Sequence, residues 1–465
     1  MKLMDREGFI MVEKSNIVSY SFDENGLERI RNTPKGVNWP VVYLIHNEDA
    51  IYIGETTSAA TRMHQHLKNS EKNSLEIVEI IFDGEYNKSV VLDYEQKLIK
   101  YCSADRRFRK ILNKNKGQQA AHDYFNRRYY RNQFKDLWKQ LQKKGLAEKS
   151  LKVIENENIF KYSPYNALSV EQNEVSVCII NDILNTFETD NTGVSLVNDC
   201  AGTGKTVLAI SLINSFINAV NIDDELLDGE AREFDDIDEG KRSALLRLKN
   251  YILKERGGKL FKIGFVMPIS GIRETIKKVF KECGNGLERR MVIAPCDVVK
   301  DDYDIIFVDE CSTIDNRIMM QFLAKIHSDT FLVLAGDIYQ IESIEFGNWF
   351  SYAKDIVKSK GSNIELLSTW RTNDQGLIEL WKEVRNNGPL ITEKLVINGP
   401  FSENIGDNIF NSEIKDEVIL CLNYDGKFGL NNMNSYFQNA NTEEAVIWKE
   451  WKYKVGDRIL FNDTN

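Results

Sequence analysis

Apolar residues follow two rhythms along this chain. Near the start they come in short β-rich runs. Val41-Val-Tyr-Leu-Ile45 and Ile51-Tyr-Ile-Gly54 are separated by the polar Asn47-Glu-Asp-Ala50, which predicts a hairpin. Helical spacing then takes over at 58–67 and 89–101. Residues 119–152 read as one long helix in which Phe134, Leu137, Trp138 and Leu141 make an apolar stripe and Gly145 makes the stop. Beyond residue 190 the unit is an apolar strand followed by a helix. It occurs at 196–213 and at 259–278, and further apolar runs at 303–308 and 331–336 end in acidic residues. Alternating strands and helices predict a doubly wound parallel sheet. Later segments continue it, with strands at 418–423 and 453–461 and a helix at 432–438. Residues 1–37 read as an appended segment with a strand at 17–22 and a turn at Asn25-Gly26, and 147–161 as a linker.

Composition changes this picture in two places. The 465 residues are 42% hydrophobic and 28% charged, which fits several globular domains. No apolar run is long enough to span a membrane, and the first residues lack a signal-peptide core. Seven scattered Cys, none in a C-x-x-C pair, argue for a reducing compartment, read here as the cytoplasm. The formal net charge of −10 is uneven. Residues 223–239 hold ten acids and one Arg, the heart of an acidic insertion at 221–240. Residues 97–152 hold seventeen basic and four acidic residues, so an acidic protein contains a strongly basic stretch.

The strongest chemical signal is Leu196-Val-Asn-Asp-Cys-Ala-Gly-Thr-Gly-Lys-Thr206. An apolar strand enters a Gly-rich turn and a helix leaves it. Gly202, Thr203 and Gly204 let backbone N–H groups face a triphosphate, Lys205 can reach its outer phosphates, and Thr206 can hold Mg²⁺. Asp199 stands where the loop pattern has its first Gly. The same residues also fit a Gly-rich turn without a ligand. A second strand, Ile305-Ile-Phe-Val308, ends in Asp309 and Glu310. Asp309 would hold Mg²⁺ and Glu310 would orient the attacking water of an ATP-hydrolysing site.

The N-terminal pattern resembles the GIY-YIG nuclease family over about residues 38–118. Val42-Tyr43-Leu44 stands for the first tripeptide and Tyr52-Ile53-Gly54 for the second. Arg62 and His66 match the family's helix Arg and its frequent His, Glu95 its metal-binding carboxylate, and Asn113 a polar residue found after it. The resemblance implies Mg²⁺-dependent phosphodiester cleavage. Glu95 would hold the ion, Arg62 would neutralise the phosphate, and Tyr43, supported by Tyr52, would act on water with its pKa lowered by Arg or metal. The alternative is that both tyrosines are cross-strand packing residues and Glu95 a solvated one. Arg127, Arg128, Arg131, Lys135 and Lys139 then suit either phosphate contact or an ordinary charged face.

The second half resembles superfamily 1 helicases. Leu168-Ser-Val-Glu-Gln172 resembles the Q motif, whose Gln reads adenine; it also fits a simple helix start. Pro268–Lys278 resembles motif Ia, with Ser270, Arg273 and Thr275 as backbone contacts. Gly336-Asp-Ile-Tyr-Gln340 resembles motif III, with Gln340 as γ-phosphate sensor, and Leu366–Thr372 resembles motif IV, with Arg371 as arginine finger. Two later motifs of the family have no counterpart before residue 465. The expectation is therefore an α/β protein divided as 1–37, a nuclease-like domain 38–118, a basic connector 119–161, a RecA-like lobe 162–362 and a partial second lobe 363–465. It would use ATP and Mg²⁺ and act on nucleic acid, DNA rather than RNA. It would work without a membrane, with a second copy or a partner subunit completing the missing motifs, and defence against foreign DNA is one setting. An ATP-gated nucleic-acid sensor with an inactive nuclease, or a nuclease with a scaffold ATPase, fits the same motifs.

Overall fold

The computed structural model describes residues 16–113, 124–189, 191–199, 202–221, 239–300, 302–339, 349–357, 362–369, 372, 374–398, 419–448 and 451–457. The chain forms two compact units, Met1–Arg371 and Thr372–Asn465. The first contains two sheets.

The N-terminal sheet contains β1 (Asn16–Ser21), β2 (Val41–His46), β3 (Ala50–Thr56), β4 (Ile77–Phe82) and β5 (Lys110–Ile111), in spatial order β1-β4-β2-β3-β5. The hairpin expected at 41–54 is the antiparallel β2–β3 pair, and β5 joins β3 in parallel. All six residues of β2 are buried, because the sheet is covered on both faces. Val42 and Leu44 pack with α3 (Lys88–Asp105), whereas Val41, Tyr43 and Ile45 pack with α1 (Glu24–Arg31) and α2 (Ala59–Leu67). A continuous apolar run is thus read out alternately by two cores.

Three expectations need correction here. Residues 16–37 are not an appendage: β1 pairs along its whole length with β4. Asn25-Gly26 is not a turn but the first turn of α1, where the Asp23 carboxylate caps the Gly26 N–H at 2.7 Å. Residues 147–161 are no linker. After α4 (Arg127–Lys143) and Gly145, whose φ of +74° suits a helix end, α5 (Leu151–Asn156) and α6 (Asn158–Lys161) fold back. Ala147, Ile154 and Ile159 are buried against α3 and α4. The expected stripe of Phe134, Leu137, Trp138 and Leu141 is buried, with the Trp138 indole donating to Lys149 O at 2.9 Å. Residues 119–123 of the expected long helix lie outside the described residues.

The second sheet contains β6 (Val194–Asp199), β7 (Ile263–Val266), β8 (Val292–Ile293), β9 (Ile305–Val308), β10 (Phe331–Gly336) and β11 (Asn363–Leu366). Its order is β11-β6-β10-β9-β7-β8 and its pairings are parallel. One face packs on α7 (Val170–Glu188), α8 (Lys205–Ile217), α9 (Glu239–Lys254) and α10 (Ser270–Cys283). The other packs on α11 (Asn316–Leu323) and α12 (Trp349–Val357). This is the expected doubly wound α/β fold. Most of the acidic insertion, 222–238, lies outside the described residues.

The second unit holds α13 (Gln375–Arg385), α14 (Ile391–Asn398), α15 (Leu430–Ala440) and an antiparallel ribbon of β12 (Ala445–Trp448) and β13 (Trp451–Lys454). The strand expected at 418–423 is absent: residues 419–423 are irregular, and Leu420 and Leu422 are 89% and 90% exposed. With no described strand beside it to pair its N–H and C=O groups, that apolar run does not become one. Among the described residues this unit has no parallel sheet.

Trp138 is 1% exposed and touches the rings of Phe134 and Tyr101. Trp138→Ala is expected to destabilise the N-terminal part by about 3–5 kcal/mol, whereas Arg128→Ala on the exposed face changes it by no more than about 0.5 kcal/mol. Urea unfolding of the two variants measures the contrast; equal midpoints would contradict the burial of this stripe.

Candidate functional site

The candidate nucleotide site lies where β6 and β9 end on the same edge of the parallel sheet. Gly202 and Gly204 both have φ of +86°, a conformation that favours residues without a Cβ. Lys205 opens α8, 7% exposed, with its ammonium 3.8 Å from Glu310. The Thr206 hydroxyl donates to the Asp309 carboxylate at 2.5 Å. The other Asp309 oxygen accepts the Glu310 N–H at 2.9 Å. Burial pushes the Asp309 carboxyl above its ordinary range, against the opposing pull of Thr206 and Lys205. Glu310 takes φ of +48°, a strained backbone for a residue with a Cβ, next to the chemistry it would perform. A hydroxyl and a carboxylate brought together from two elements form an all-oxygen donor pair. That set fits Mg²⁺, which binds through one or two protein oxygens with phosphate and water supplying the rest.

Gln172 sits in the first turn of α7, beside the loop that follows β6. Its Oε1 accepts the Ser169 N–H at 3.0 Å and its backbone N–H donates to the Ser169 hydroxyl oxygen at 3.1 Å, a complete capping box at the start of α7. Its Nε2 donates to Thr203 O at 2.6 Å. Both ends of the amide are engaged, and Gln172 ties the start of α7 to the loop at Thr203. Its neighbour Glu171 accepts the N–H groups of Leu367 and Ser368 at 2.7 and 3.1 Å, which no motif announced. In α10, Arg273 donates to Met267 O and Pro268 O, and Thr275 to Gly271 O, so those two side chains brace the loop and helix; Ser270 is exposed. Asp337 is buried and its carboxylate accepts the Tyr339 N–H at 2.9 Å. Gln340 and Arg371 lie outside the described residues, as do Cys200 and Ala201.

A second cluster sits on the N-terminal sheet. Tyr43 projects from β2 and its hydroxyl oxygen lies 2.8 Å from His66 Nε2 and 3.4 Å from Arg62 Nε, both on α2. The spacing of four puts Arg62 and His66 on one helix face, as expected. The Tyr52 ring stacks on Tyr43 at 6.3 Å and meets His66 edge-on at 5.0 Å. A Cβ at Gly54 would fall 2.2 Å from the Tyr43 hydroxyl oxygen, so the ring occupies the space a side chain there would need. Glu95, on α3, is buried, and its charge is the last of five influences on the Tyr43 hydroxyl. Asn113 pairs with β3: its side chain accepts the Ile53 N–H at 3.0 Å and donates to Ile53 O at 2.7 Å, extending the pairing that the short β5 leaves off.

Electrostatics correct one expectation. Tyr43 is 1% exposed, and burial raises its hydroxyl well above the ordinary value; the Arg62 charge opposes this without reversing it. The same burial, with the charges of Lys72 and Arg62, lowers His66 from 6.5 to about 2. Lys72 explains part of this. It is 5% exposed, its Nζ 2.7 Å from His66 Nδ1 and 3.5 Å from the Tyr52 ring centre. Sequence offered no signal for it, since a Lys in a polar stretch reads as a solvated charge. On α4, Arg128, Arg131, Lys135 and Lys139 are exposed, while Arg127 turns toward buried Asp93 at 3.9 Å.

Residues 270–398 match the family model of an AAA domain. No curated protein matches the sequence. Among solved structures, the Pif1 helicase from Candida albicans is similar at 17% identity and a TM-score of 0.30, covering 61% of this chain and 57% of that one. A structure described as DNA unwinding at forked double-stranded DNA by two coordinating Pif1 helicases is similar at 15% identity and a TM-score of 0.25, covering 47% and 49%. The chain thus spans about half the length of these two solved chains.

His66 is neutral when folded and takes a proton near 6.5 when unfolded. Below pH 6.5 the unfolded chain binds a proton that the native site refuses, so stability falls as pH drops from 6.5 toward 2. From pH 7 to 5 the loss from this group is about 2 kcal/mol. Urea midpoints at the two pH values, compared between the parent and His66→Gln, isolate it. An equal pH response in both would show that His66 does not carry the effect.

Proposed function

We propose that this chain is an ATP-dependent, helicase-like nucleic-acid-processing enzyme whose N-terminal domain cleaves phosphodiester bonds. The observation that best supports the ATPase is the 2.5 Å contact of Thr206 with Asp309, residues 103 positions apart that meet at the outlet of a parallel sheet. In ATP turnover Lys205 would leave Glu310 for the outer phosphates. Thr206 and Asp309 would hold Mg²⁺, which supplies charge neutralisation on the phosphates. Glu310, released from Lys205, would align the attacking water. Gln340 as sensor and Arg371 as arginine finger belong to the same proposal.

The cleavage reading rests on the approach of Tyr43, Tyr52, Arg62 and His66, with Glu95 near enough to act on Tyr43. Glu95 would anchor Mg²⁺, Arg62 would offset the charge that builds on the phosphate, and Tyr43 would align or deprotonate water. The exposed Arg128, Arg131, Lys135 and Lys139 would track the backbone of the nucleic acid, with DNA the proposed substrate. One observation favours a second reading, an ATP-gated sensor with a silent nuclease: the Tyr43 hydroxyl is sealed from solvent and held protonated. A defence role for either version stays within the proposal.

Two sets of variants test this. Lys205→Ala is expected to weaken nucleotide binding by at least about tenfold, and Glu310→Gln to keep binding and lose hydrolysis. Calorimetric titration and phosphate release read both, and unchanged ATP affinity in Lys205→Ala would remove the nucleotide site.

Glu95→Ala, Arg62→Ala and Tyr43→Phe are each expected to lower Mg²⁺-dependent plasmid cleavage by roughly 10²-fold or more while leaving ATP turnover intact. A parent that binds DNA but never cuts it decides for the sensor, and a Glu95→Ala variant that cuts as fast as the parent removes the nuclease assignment.

A further inference from the structure

The cluster on β2 and α2 contains one group that the proposed cleavage does not use. Lys72 follows α2 in a short 3₁₀ turn, Ser70–Lys72, and its side chain is carried inward rather than out to water. An ammonium has three donors and no acceptor. It lies over the face of Tyr52, 3.5 Å from the ring centre, the arrangement by which an aromatic ring holds a cation. From there it reaches His66 Nδ1 at 2.7 Å, and the only role an ammonium leaves to that nitrogen is acceptor. A neutral imidazole carries its single hydrogen on the other nitrogen. His66 is held neutral by its burial and by the neighbouring cations.

We infer that Lys72 is a positioning residue that fixes His66 as the Nε2–H tautomer, so that His66 donates to the Tyr43 oxygen instead of taking a proton from it. The consequence lies 2.8 Å away. The Tyr43 oxygen receives hydrogen bonds from His66 Nε2 and, more weakly, from Arg62 Nε at 3.4 Å. A phenol oxygen has two lone pairs, and both are then committed. The Tyr43 hydrogen can be given to neither His66 nor Arg62, which leaves it for a third group. Two donors on one oxygen also favour whatever negative charge that oxygen takes on, which offsets part of the effect of burial. Tyr52 joins the device as the surface on which the ammonium rests. The same arrangement excludes His66 as the acceptor of the Tyr43 proton.

The inference rests on the cleavage reading for its use, but not for its test. The full-length chain labelled with ¹⁵N at histidine would be observed by long-range ¹H–¹⁵N correlation, with His66 assigned by His66→Gln. The expected spectrum has a protonated Nε2 and a bare Nδ1 on His66, and Lys72→Met, which keeps an unbranched apolar stem, is expected to shift the hydrogen toward Nδ1. A protonated Nδ1 in the parent would overturn the proposal, and this arm needs no variant to fold. An Nε2–H signal unchanged in a folded Lys72→Met would overturn it as well. In plasmid cleavage, Lys72→Met is expected to lower the rate roughly 10–100-fold with ATP turnover unchanged. If Glu95→Ala cuts like the parent while His66 carries its hydrogen on Nε2, the nuclease reading fails and the tautomer assignment stands; the reverse pair of results separates them the other way.

Discussion

The chemistry of the larger sheet depends on one register. Leu334 of β10 lies beside Leu196 of β6 and beside Val308 of β9, and Val308 lies beside Val266 of β7. Parallel strands aligned in this way release their next residues at a common edge. Asp309 therefore emerges next to the loop that follows β6, within 2.5 Å of Thr206. Side chains alternate along a strand, so a slip of one residue would exchange the two faces of β9. Ile306 and Val308 face one core, and Ile305 and Phe307 the other. The slip would expose neither set to water, because both faces are covered. It would instead displace Asp309 along the edge by a residue, away from the hydroxyl it accepts from. Apolar packing in two layers sets the strands in place, and the placement of a single carboxylate follows from it.

The N-terminal cluster follows a different logic. There the polar groups are inside the layer, and each must find a partner or bear the cost of burial. Tyr43, His66 and Lys72 are each less than 8% exposed. They solve the problem jointly: lysine on imidazole, imidazole on phenol, and a ring face beneath the cation. Such a chain orders three side chains at once, and that order is what a site needs before a substrate arrives. It also shifts their acid–base behaviour away from water's values, His66 downward and Tyr43 upward. A tyrosine base is therefore harder to form here than the residue types alone suggest. Any activity must come from the hydrogen bonds and charges that compensate.

What could be read from the sequence divides along the same line. The strand-to-helix alternation after residue 190, the β2–β3 hairpin and the stripe on α4 were legible, because each is written in local apolar spacing. So was the pairing of Arg62 with His66, which needs only the helical repeat. Lys72 was not, since nothing in Ser70-Glu-Lys72 says that its side chain turns inward; only the tertiary pocket does. Gln172 was legible as a residue of interest, but its contact with the Thr203 carbonyl was not, for the same amide suits adenine, a capping box and a loop carbonyl. Asn25-Gly26 shows turn chemistry being overruled by a cap: Asp23 supplies an acceptor for the first free N–H groups, and α1 continues through the glycine. The apolar run at 418–423 shows the opposite failure. Its composition is right for a strand, but no described strand lies beside residues 419–423.

The two sheets of the first unit meet without a linker, and the forces at the joint differ in weight. Arg106, at the C-terminal cap of α3 with φ of +64°, pairs with Glu282 of α10. Both side chains are more than a third exposed, and a pair of that kind contributes no more than about 1 kcal/mol. Asn285 donates to the hydroxyl of Tyr165, which is itself buried. The larger contribution is apolar. Cys283, the last residue of α10, packs against the core of each sheet, and α6 with Ile159 lies against α10. Because α10 begins at Ser270, beside the carboxyl end of β7, one helix runs from the candidate nucleotide edge of the large sheet to Arg106 at the C-terminal cap of α3. A displacement at either end of α10 would have to be absorbed by close-packed side chains at the other, since such a core yields little volume. The joint is therefore a mechanical contact first and an electrostatic one second. Breaking Arg106–Glu282 alone would leave it standing.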